Sequence, residues 1–156
     1  MKRSTILFIL ELALLPFKSQ SQESDSTWRK VPMSEFYIRY SPIDYLRVLE
    51  EDFKEKQGEN VFTLTASPDN WIKEEHIEWL MKLIYKIDST KSIMNSYSSY
   101  IPTDKYSSIG REAQNLINCY RAKTNYPDFL NSFGAPDKLK AKELEDWWRK
   151  YKLWKQ

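Results

Sequence analysis

Glycine is scarce in this sequence, and its scarcity limits how many tight turns the chain can make. The three glycines among 156 residues stand alone at positions 58, 110 and 134. A β-sandwich or barrel joins many short strands through tight turns, where glycine is the favoured residue. The sequence also has a single cysteine, so no intrachain disulfide can form and stability must come from packing. Both observations favour a fold built from helices.

The spacing of apolar residues predicts four main helices. The first begins at Ser41-Pro42, a capping residue followed by a favourable first helical residue, and ends before Gly58. Residues 88–108 are rich in serine and tyrosine and are predicted to be a loop with one helical turn near Ile93. Residues 61–64 form a single strand or an extended tether for which no partner is visible. The four predicted helices cover residues 41–58, 70–87, 108–122 and 137–155.

The start of the chain has the three parts of a secretory signal peptide. Lys2 and Arg3 precede an apolar stretch over residues 6–17, and small polar residues follow at 19–22. The apolar stretch is shorter than the roughly 20 residues that span a bilayer. Glu11 within it favours the alternative, a surface or core helix. We therefore expect a signal peptide at 1–21, a polar lead-in at 22–40 and a single helical domain at 41–156, with no transmembrane span in the mature chain.

Removal of the signal peptide makes the chain formally neutral. The cleaved segment carries Lys2, Arg3, Lys18 and Glu11, so 24 basic and 22 acidic residues become 21 of each. Proteins that bind nucleic acid usually have a basic surface that contacts phosphates. We therefore expect no nucleic-acid partner, and an exported protein that resides in the periplasm or outside the cell.

The sequence contains no recognisable catalytic, metal-binding or cofactor-binding motif. His76 is the single histidine, and the HExxH zinc pattern requires a second one a helical turn away. Glu74, Glu75 and Glu78 are typical of a solvated helix face. No glycine-rich phosphate loop is present. We predict no catalytic residue, no metal and no cofactor, and an enzyme would need a site assembled across the fold.

The last predicted helix has an aromatic stripe that is suited to binding. Five apolar residues fall within an arc of roughly 120° at 3.6 residues per turn: Leu144, Trp147, Trp148, Tyr151 and Trp154. This stripe either closes the protein's own core or anchors a partner, since tryptophan and tyrosine dominate binding hot spots. An interfacial membrane helix is a third interpretation, because basic residues outnumber acidic ones on the same helix as the aromatic residues. Trp147, Tyr151 and Trp154 are the candidate partner-binding residues.

The tyrosine-rich segment is a second candidate binding surface. Tyr97, Tyr100 and Tyr106 alternate with serines, a composition found in adaptable recognition loops. In the alternative interpretation, the segment is a connector whose tyrosines pack back on the helices.

The predicted helices at 71–87 and 108–122 resemble a HEAT-type helical hairpin. In that motif the second helix opens on an acidic residue, a branched apolar residue, arginine and alanine, and Asp104, Ile109, Arg111 and Ala113 stand in that order. In size, export signal and helix content the chain is also similar to small exported bacterial helical proteins of the immunity type. The resemblance implies an all-α fold of about four main helices, in a HEAT-like or irregular bundle.

The function expected from these observations is non-catalytic. The leading hypothesis is an exported module that binds a protein partner, of the immunity type or associated with the envelope. The alternatives are an enzyme and a structural or assembly protein.

Overall fold

The computed structural model describes residue 28, residues 30–54 and residues 60–156. This part of the chain forms five helices and a mixed four-stranded sheet. The helices are α1 (Met33–Arg39), α2 (Pro42–Lys54), α3 (Glu74–Met81), α4 (Ile109–Ala122) and α5 (Lys138–Lys155). The strands are β1 (Val61–Leu64), β2 (Ser89–Asn95), β3 (Tyr106–Ser108) and β4 (Asn131–Ser132). The predicted signal peptide at 1–21 lies outside the described residues.

The sheet contradicts the expected fold class. β2 is the central strand: β1 pairs with its residues 92–95 in parallel, and β3 and β4 pair antiparallel with residues 89–91 and 93–94. The expectation of an all-α, HEAT-like or irregular bundle is therefore wrong, and the fold is mixed α/β. The sheet needs few glycines because α3 lies in the connection between β1 and β2, and residues 96–105 connect β2 to β3.

The segment predicted to be a loop is the centre of this sheet. Residues 89–95 form β2, so the helical turn expected near Ile93 is wrong, and Ile93 is fully buried within a strand. Of the two alternatives for residues 61–64, a strand or an extended tether, the strand is correct: these residues form β1, and its partner is β2. The strands β1, β2 and β3 all lie in regions without clear helical or alternating periodicity.

Three of the four predicted helices are confirmed, and a side chain caps the start of each, as was predicted for Ser41. At the start of α2, Ser41 Oγ accepts a hydrogen bond from Asp44 N at 3.2 Å, and the Asp44 carboxylate accepts one from Ser41 N at 3.2 Å. Ser108 Oγ caps α4 by accepting from Arg111 N at 3.2 Å. Asp137 caps α5 by accepting from two backbone amides. Each cap satisfies amides that have no partner within the helix.

The helix predicted at residues 70–87 is shorter than expected, and a further helix precedes α2. α3 ends at Met81, and residues 82–86 continue as tight turns in which Lys82 N and Leu83 N bond carbonyls three residues back. α1 lies within the segment expected to be a polar lead-in. Its Phe36 is buried in the hydrophobic core, so this segment contributes to the packed structure.

α4 lies at the centre of the molecule. It packs against α2, α3 and α5 and follows β3 directly. Leu116, Ile117 and Cys119 are fully buried on it. None of the described helices combines the length and the apolar character that a membrane crossing requires.

Candidate functional site

An open cleft of about 760 Å³ lies where the end of α4, the loop before α3 and the last turns of α5 meet. One wall is formed by residues 67–72 and another by residues 119–121 and 123–125. The third wall is the α5 stripe of Trp147, Tyr151 and Trp154. We call this site the aromatic cleft, because aromatic side chains line it from its inner end to its rim.

The α5 stripe forms a continuous series of aromatic contacts. Its three residues are spaced four and three positions apart, which places them on one helix face. The Trp147 and Tyr151 ring centroids are 5.5 Å apart, and those of Tyr151 and Trp154 are 6.4 Å apart. Tyr120 of α4 extends the series, with its ring centroid 6.3 Å from that of Trp147 in an edge-on arrangement. These distances are within the range of favourable aromatic pairs.

Polar contacts fix the stripe against the neighbouring helices. Tyr151 OH donates a hydrogen bond to Glu74 Oε2 at 3.0 Å and lies 3.4 Å from Tyr120 OH. Lys155 forms an ion pair with the same Glu74 carboxylate, and its hydrogen bond holds the pKa of Glu74 below the ordinary value. Glu74 on α3 therefore tethers the last turn of α5, so the cleft wall is held in place before any ligand binds.

Exposure differs sharply along this helix. Leu144 is fully buried and Trp148 is 9% exposed, so these two residues close the protein's core. Trp147 and Tyr151 are half-buried, whereas Trp154 is 80% exposed. A large indole exposed at the rim of a cleft has the most area to lose to a partner. The helix thus combines a core-closing face with an exposed aromatic edge.

The rim opposite α5 is polar and has two unusual backbone positions. Asn70 and Lys123 are the described non-glycine residues with positive φ, at 59° and 57°, and both line the aromatic cleft. Lys123 ends α4 in the left-handed conformation that commonly terminates helices. Asp69 and Arg121 also line this rim. The cleft therefore combines an aromatic wall with charged and amide side chains carried on two tight turns.

The tyrosine-rich segment lies elsewhere. Tyr97, Tyr100 and Tyr106 do not line the aromatic cleft. Tyr97 is 84% exposed after the end of β2, whereas Tyr106 on β3 packs edge-on against Phe53 with ring centroids 5.5 Å apart. Tyr106 OH also accepts a hydrogen bond from Asn60 Nδ2 at 3.0 Å. The structure thus separates the two candidate surfaces.

A buried carboxyl group lies in the closed core. Glu112 Oε2 accepts a hydrogen bond from Tyr126 OH at 2.7 Å, and Oε1 accepts one from Ser132 Oγ at 2.6 Å and another from Ser107 Oγ. Tyr126 OH lies 2.9 Å from Tyr45 OH. Burial raises the pKa of Glu112, while these hydroxyl donors oppose the shift by favouring the ionised form. Glu112 does not line the aromatic cleft.

His76 has a structural role rather than lying on a solvated face. Its Nδ1 accepts a hydrogen bond from Lys73 N at 3.1 Å at the start of α3, and its side chain is only 12% exposed. Burial lowers the pKa of His76. Among the described residues, no group of three or more histidine, cysteine, aspartate or glutamate side chains is placed to hold a metal ion.

The polar rim could not be found by sequence reasoning. Asp69, Asn70 and Lys123 lie in turns, where no periodicity or motif distinguishes them. Tyr120 belongs to the apolar stripe of a confirmed helix, and nothing in the sequence indicates that its hydroxyl meets Tyr151. The stripe on α5 was found because its spacing can be read directly.

Comparisons with known proteins leave the geometry as the basis for a functional proposal. No protein-family model matches the sequence, and neither a curated protein nor a solved structure gives a significant match.

Proposed function

We propose that this chain is an exported, non-catalytic binding protein that holds an acidic segment of a partner protein in the aromatic cleft. The observation behind the proposal is Trp154, which is 80% exposed at the rim of a cleft that four further aromatic residues line. In this proposal an apolar side chain of the partner contacts Trp154 and Trp147. An immunity-type or envelope-associated role falls within the same class.

The charge around the cleft supports an acidic partner. Arg121 and Lys123 line the rim together with a single carboxylate, Asp69. Complementary charge favours encounter with an acidic segment and disfavours basic competitors. The aromatic wall then supplies the apolar contact area.

The position of the buried carboxyl group favours binding over catalysis. A carboxyl group with a raised pKa would mark a candidate catalytic acid only if it lined the cleft. Glu112, whose pKa burial raises, is instead enclosed in the core and hydrogen-bonded to hydroxyl groups. The export part of the proposal depends on Lys2, Arg3 and the apolar stretch that follows them.

A peptide-display selection against the purified protein tests the proposal. We expect the enriched peptides to combine acidic residues with an aromatic or aliphatic side chain. Their affinity for Trp154→Ala should fall about tenfold or more, which corresponds to the loss of a hot-spot side chain. Affinity should also fall as salt is added, because rim charges contribute to the encounter.

Leu153→Ala is the matched control. Leu153 is 67% exposed on the same turn of α5 but does not line the aromatic cleft. We expect this variant to bind the selected peptides as the wild type does. Equal binding by the wild type and both variants would refute the cleft as the binding surface, and enrichment of basic peptides would refute the proposed partner chemistry.

A further inference from the structure

A second, polar pocket lies on a different face of α4 from the aromatic cleft. Arg111, Asn115 and Asn118 line it at positions i, i+4 and i+7 of α4. Lys140 contributes from α5 and Ser132 from β4, and the volume is about 260 Å³. The pocket shares no lining residue with the aromatic cleft. Any ligand it binds is therefore independent of the proposed protein partner.

Two cations line this polar pocket without an ion-paired carboxylate. Lys140 Nζ donates to the amide oxygen Asn115 Oδ1 at 3.3 Å, and in the described part of the chain no carboxylate oxygen lies within 4 Å of either Lys140 or the Arg111 guanidinium. Burial lowers the pKa of Lys140, and the neighbouring Arg111 guanidinium lowers it further. A half-buried pair of like charges would be stabilised by an anion between them.

The acidic residues near the pocket already have other partners. Asp137 caps α5, where its carboxylate accepts hydrogen bonds from Leu139 N at 2.8 Å and Lys140 N at 3.1 Å. Asp128, which lines the pocket, accepts a hydrogen bond from Thr124 Oγ1 at 3.1 Å. Both carboxylates attract Lys140 from a distance and Asp137 also interacts with Arg111, but in the described part of the chain neither carboxylate forms an ion pair with either cation.

The floor of the pocket is anchored to the buried core. Asn115, which is 7% exposed, donates from Nδ2 to Ser132 Oγ at 2.8 Å. Ser132 Oγ in turn donates to Glu112 Oε1 at 2.6 Å. This series of hydrogen bonds fixes the Asn115 amide, and the Asn115 amide holds the Lys140 ammonium. Donors positioned in this way lose little entropy when a ligand binds.

We propose that the polar pocket binds a phosphate group, either the free ion or a small phosphate monoester. Arginine recognises oxyanions through its planar fork, and lysine adds a compact point charge. Arg111 and Asn118 line the pocket from α4 and Lys140 lines it from α5, so donors from two helices would contact different oxygens of a tetrahedral oxyanion. One of the two Asn118 amide hydrogens bonds Gln114 O, and the other is available to the ligand. Phe129 is the only apolar residue lining the pocket, so an apolar ligand would find little contact.

Isothermal titration calorimetry with inorganic phosphate tests the proposal on the whole protein. We expect Lys140→Gln and Arg111→Gln each to weaken binding about tenfold or more, since a hydrogen bond to a charged group typically contributes that much. Lys142→Gln removes the same charge from an exposed position of α5 outside the pocket. This control should bind phosphate as the wild type does. Equal weakening by all three variants would indicate a general charge effect and overturn the proposal.

Further titrations distinguish the ligand classes and do not require any variant to fold. Glycerol phosphate binding at least as tightly as inorganic phosphate would identify a monoester site, and weaker binding would identify a site for the free ion. Acetate binding as tightly as phosphate would refute the preference for a tetrahedral oxyanion. In the wild type, phosphate should shift the side-chain amide resonances of Asn115 and Asn118. Unchanged amide resonances at saturating phosphate would place binding elsewhere and refute the proposed pocket.

Discussion

Lys91 Nζ lies 2.6 Å from Asp52 Oδ2, and the two side chains are only 8% and 3% exposed. The contact joins β2 to α2 inside the protein. A buried ion pair contributes little net stability compared with well-packed apolar residues, but removing one partner leaves a charge in a poorly solvating environment. The ion pair therefore specifies how β2 packs against α2. It adds little to the total free energy of folding.

Lys91→Met should lower the free energy of unfolding by about 3–5 kcal/mol, because the buried Asp52 carboxylate would lose its ion-pair partner at 2.6 Å. Urea unfolding followed by circular dichroism measures this loss. The double variant Asp52→Leu with Lys91→Met removes both charges and should recover much of the stability. A double variant that is no more stable than Lys91→Met would show that the remaining Asp52 charge does not cause the loss.

Gly110→Ala should destabilise the protein by about 1–3 kcal/mol, as overpacking usually does. A Cβ at this position would lie 2.6 Å from Lys86 O and 2.8 Å from Lys86 N, both backbone atoms that cannot rotate away. In an unobstructed helix the same change would stabilise by about 1 kcal/mol. A lower midpoint of thermal unfolding in Gly110→Ala would support this close approach, and a higher midpoint would contradict it.

Leu80→Ala should cost about 2–5 kcal/mol, because Leu80 is fully buried in α3 and its truncation leaves a cavity. Glu75→Ala on the same helix is the control. Its side chain is 71% exposed, and its removal should change stability by no more than about 0.5 kcal/mol. Chemical denaturation of the two variants side by side tests the orientation of α3, and similar losses would contradict it.

Glu112 should make stability depend on pH. Because burial raises its pKa in the folded state, the folded protein binds the proton more tightly than the unfolded chain does. Stability from this group should therefore fall as the pH rises above the ordinary value of 4.5 towards the raised value. Glu112→Gln should remove that slope, which urea unfolding at several pH values measures. A wild-type minus variant difference that stays constant with pH would rule out a raised pKa.

The sequence predicted the helices whose signals are local. Ser41, Ser108 and Asp137 each cap a helix next to an apolar stripe, so α2, α4 and α5 could be located within a few residues. α3 was overextended because Ile84 and Ile87 continue the helical spacing. Ile84 is indeed buried, whereas Ile87 is 77% exposed beyond the helix. Spacing alone cannot distinguish a helix from a turn that happens to bury one of its residues.

The central strand could not be predicted because, apart from Ile93, its buried residues are polar. A strand is recognised by alternating or continuous apolar residues, and β2 has the sequence STKSIMN. Its side chains find partners far along the chain: Thr90 Oγ1 donates to Leu49 O at 3.2 Å and Asn95 Nδ2 donates to Pro127 O at 3.2 Å. Burial of such groups is favourable only when these partners are present. Partners that lie tens of residues away leave no pattern in the strand itself.

The candidate sites show the same division between local and distant signals. The stripe of Trp147, Tyr151 and Trp154 could be read from a single helix. The polar pocket brings Arg111 and Lys140 together from two helices, and no spacing in the sequence relates them. A site of this kind becomes visible only once the packing of α4 against α5 is known.

Because Cys119 is buried and no other cysteine is present in the sequence, folding of this protein does not depend on thiol chemistry. Burial raises the pKa of its thiol to about 12, so the reactive thiolate is scarce near neutral pH. With one cysteine in the sequence, no oxidase is needed to form a bond and no isomerase to correct one. The same native packing can therefore arise in a glutathione-rich compartment and in an oxidising one.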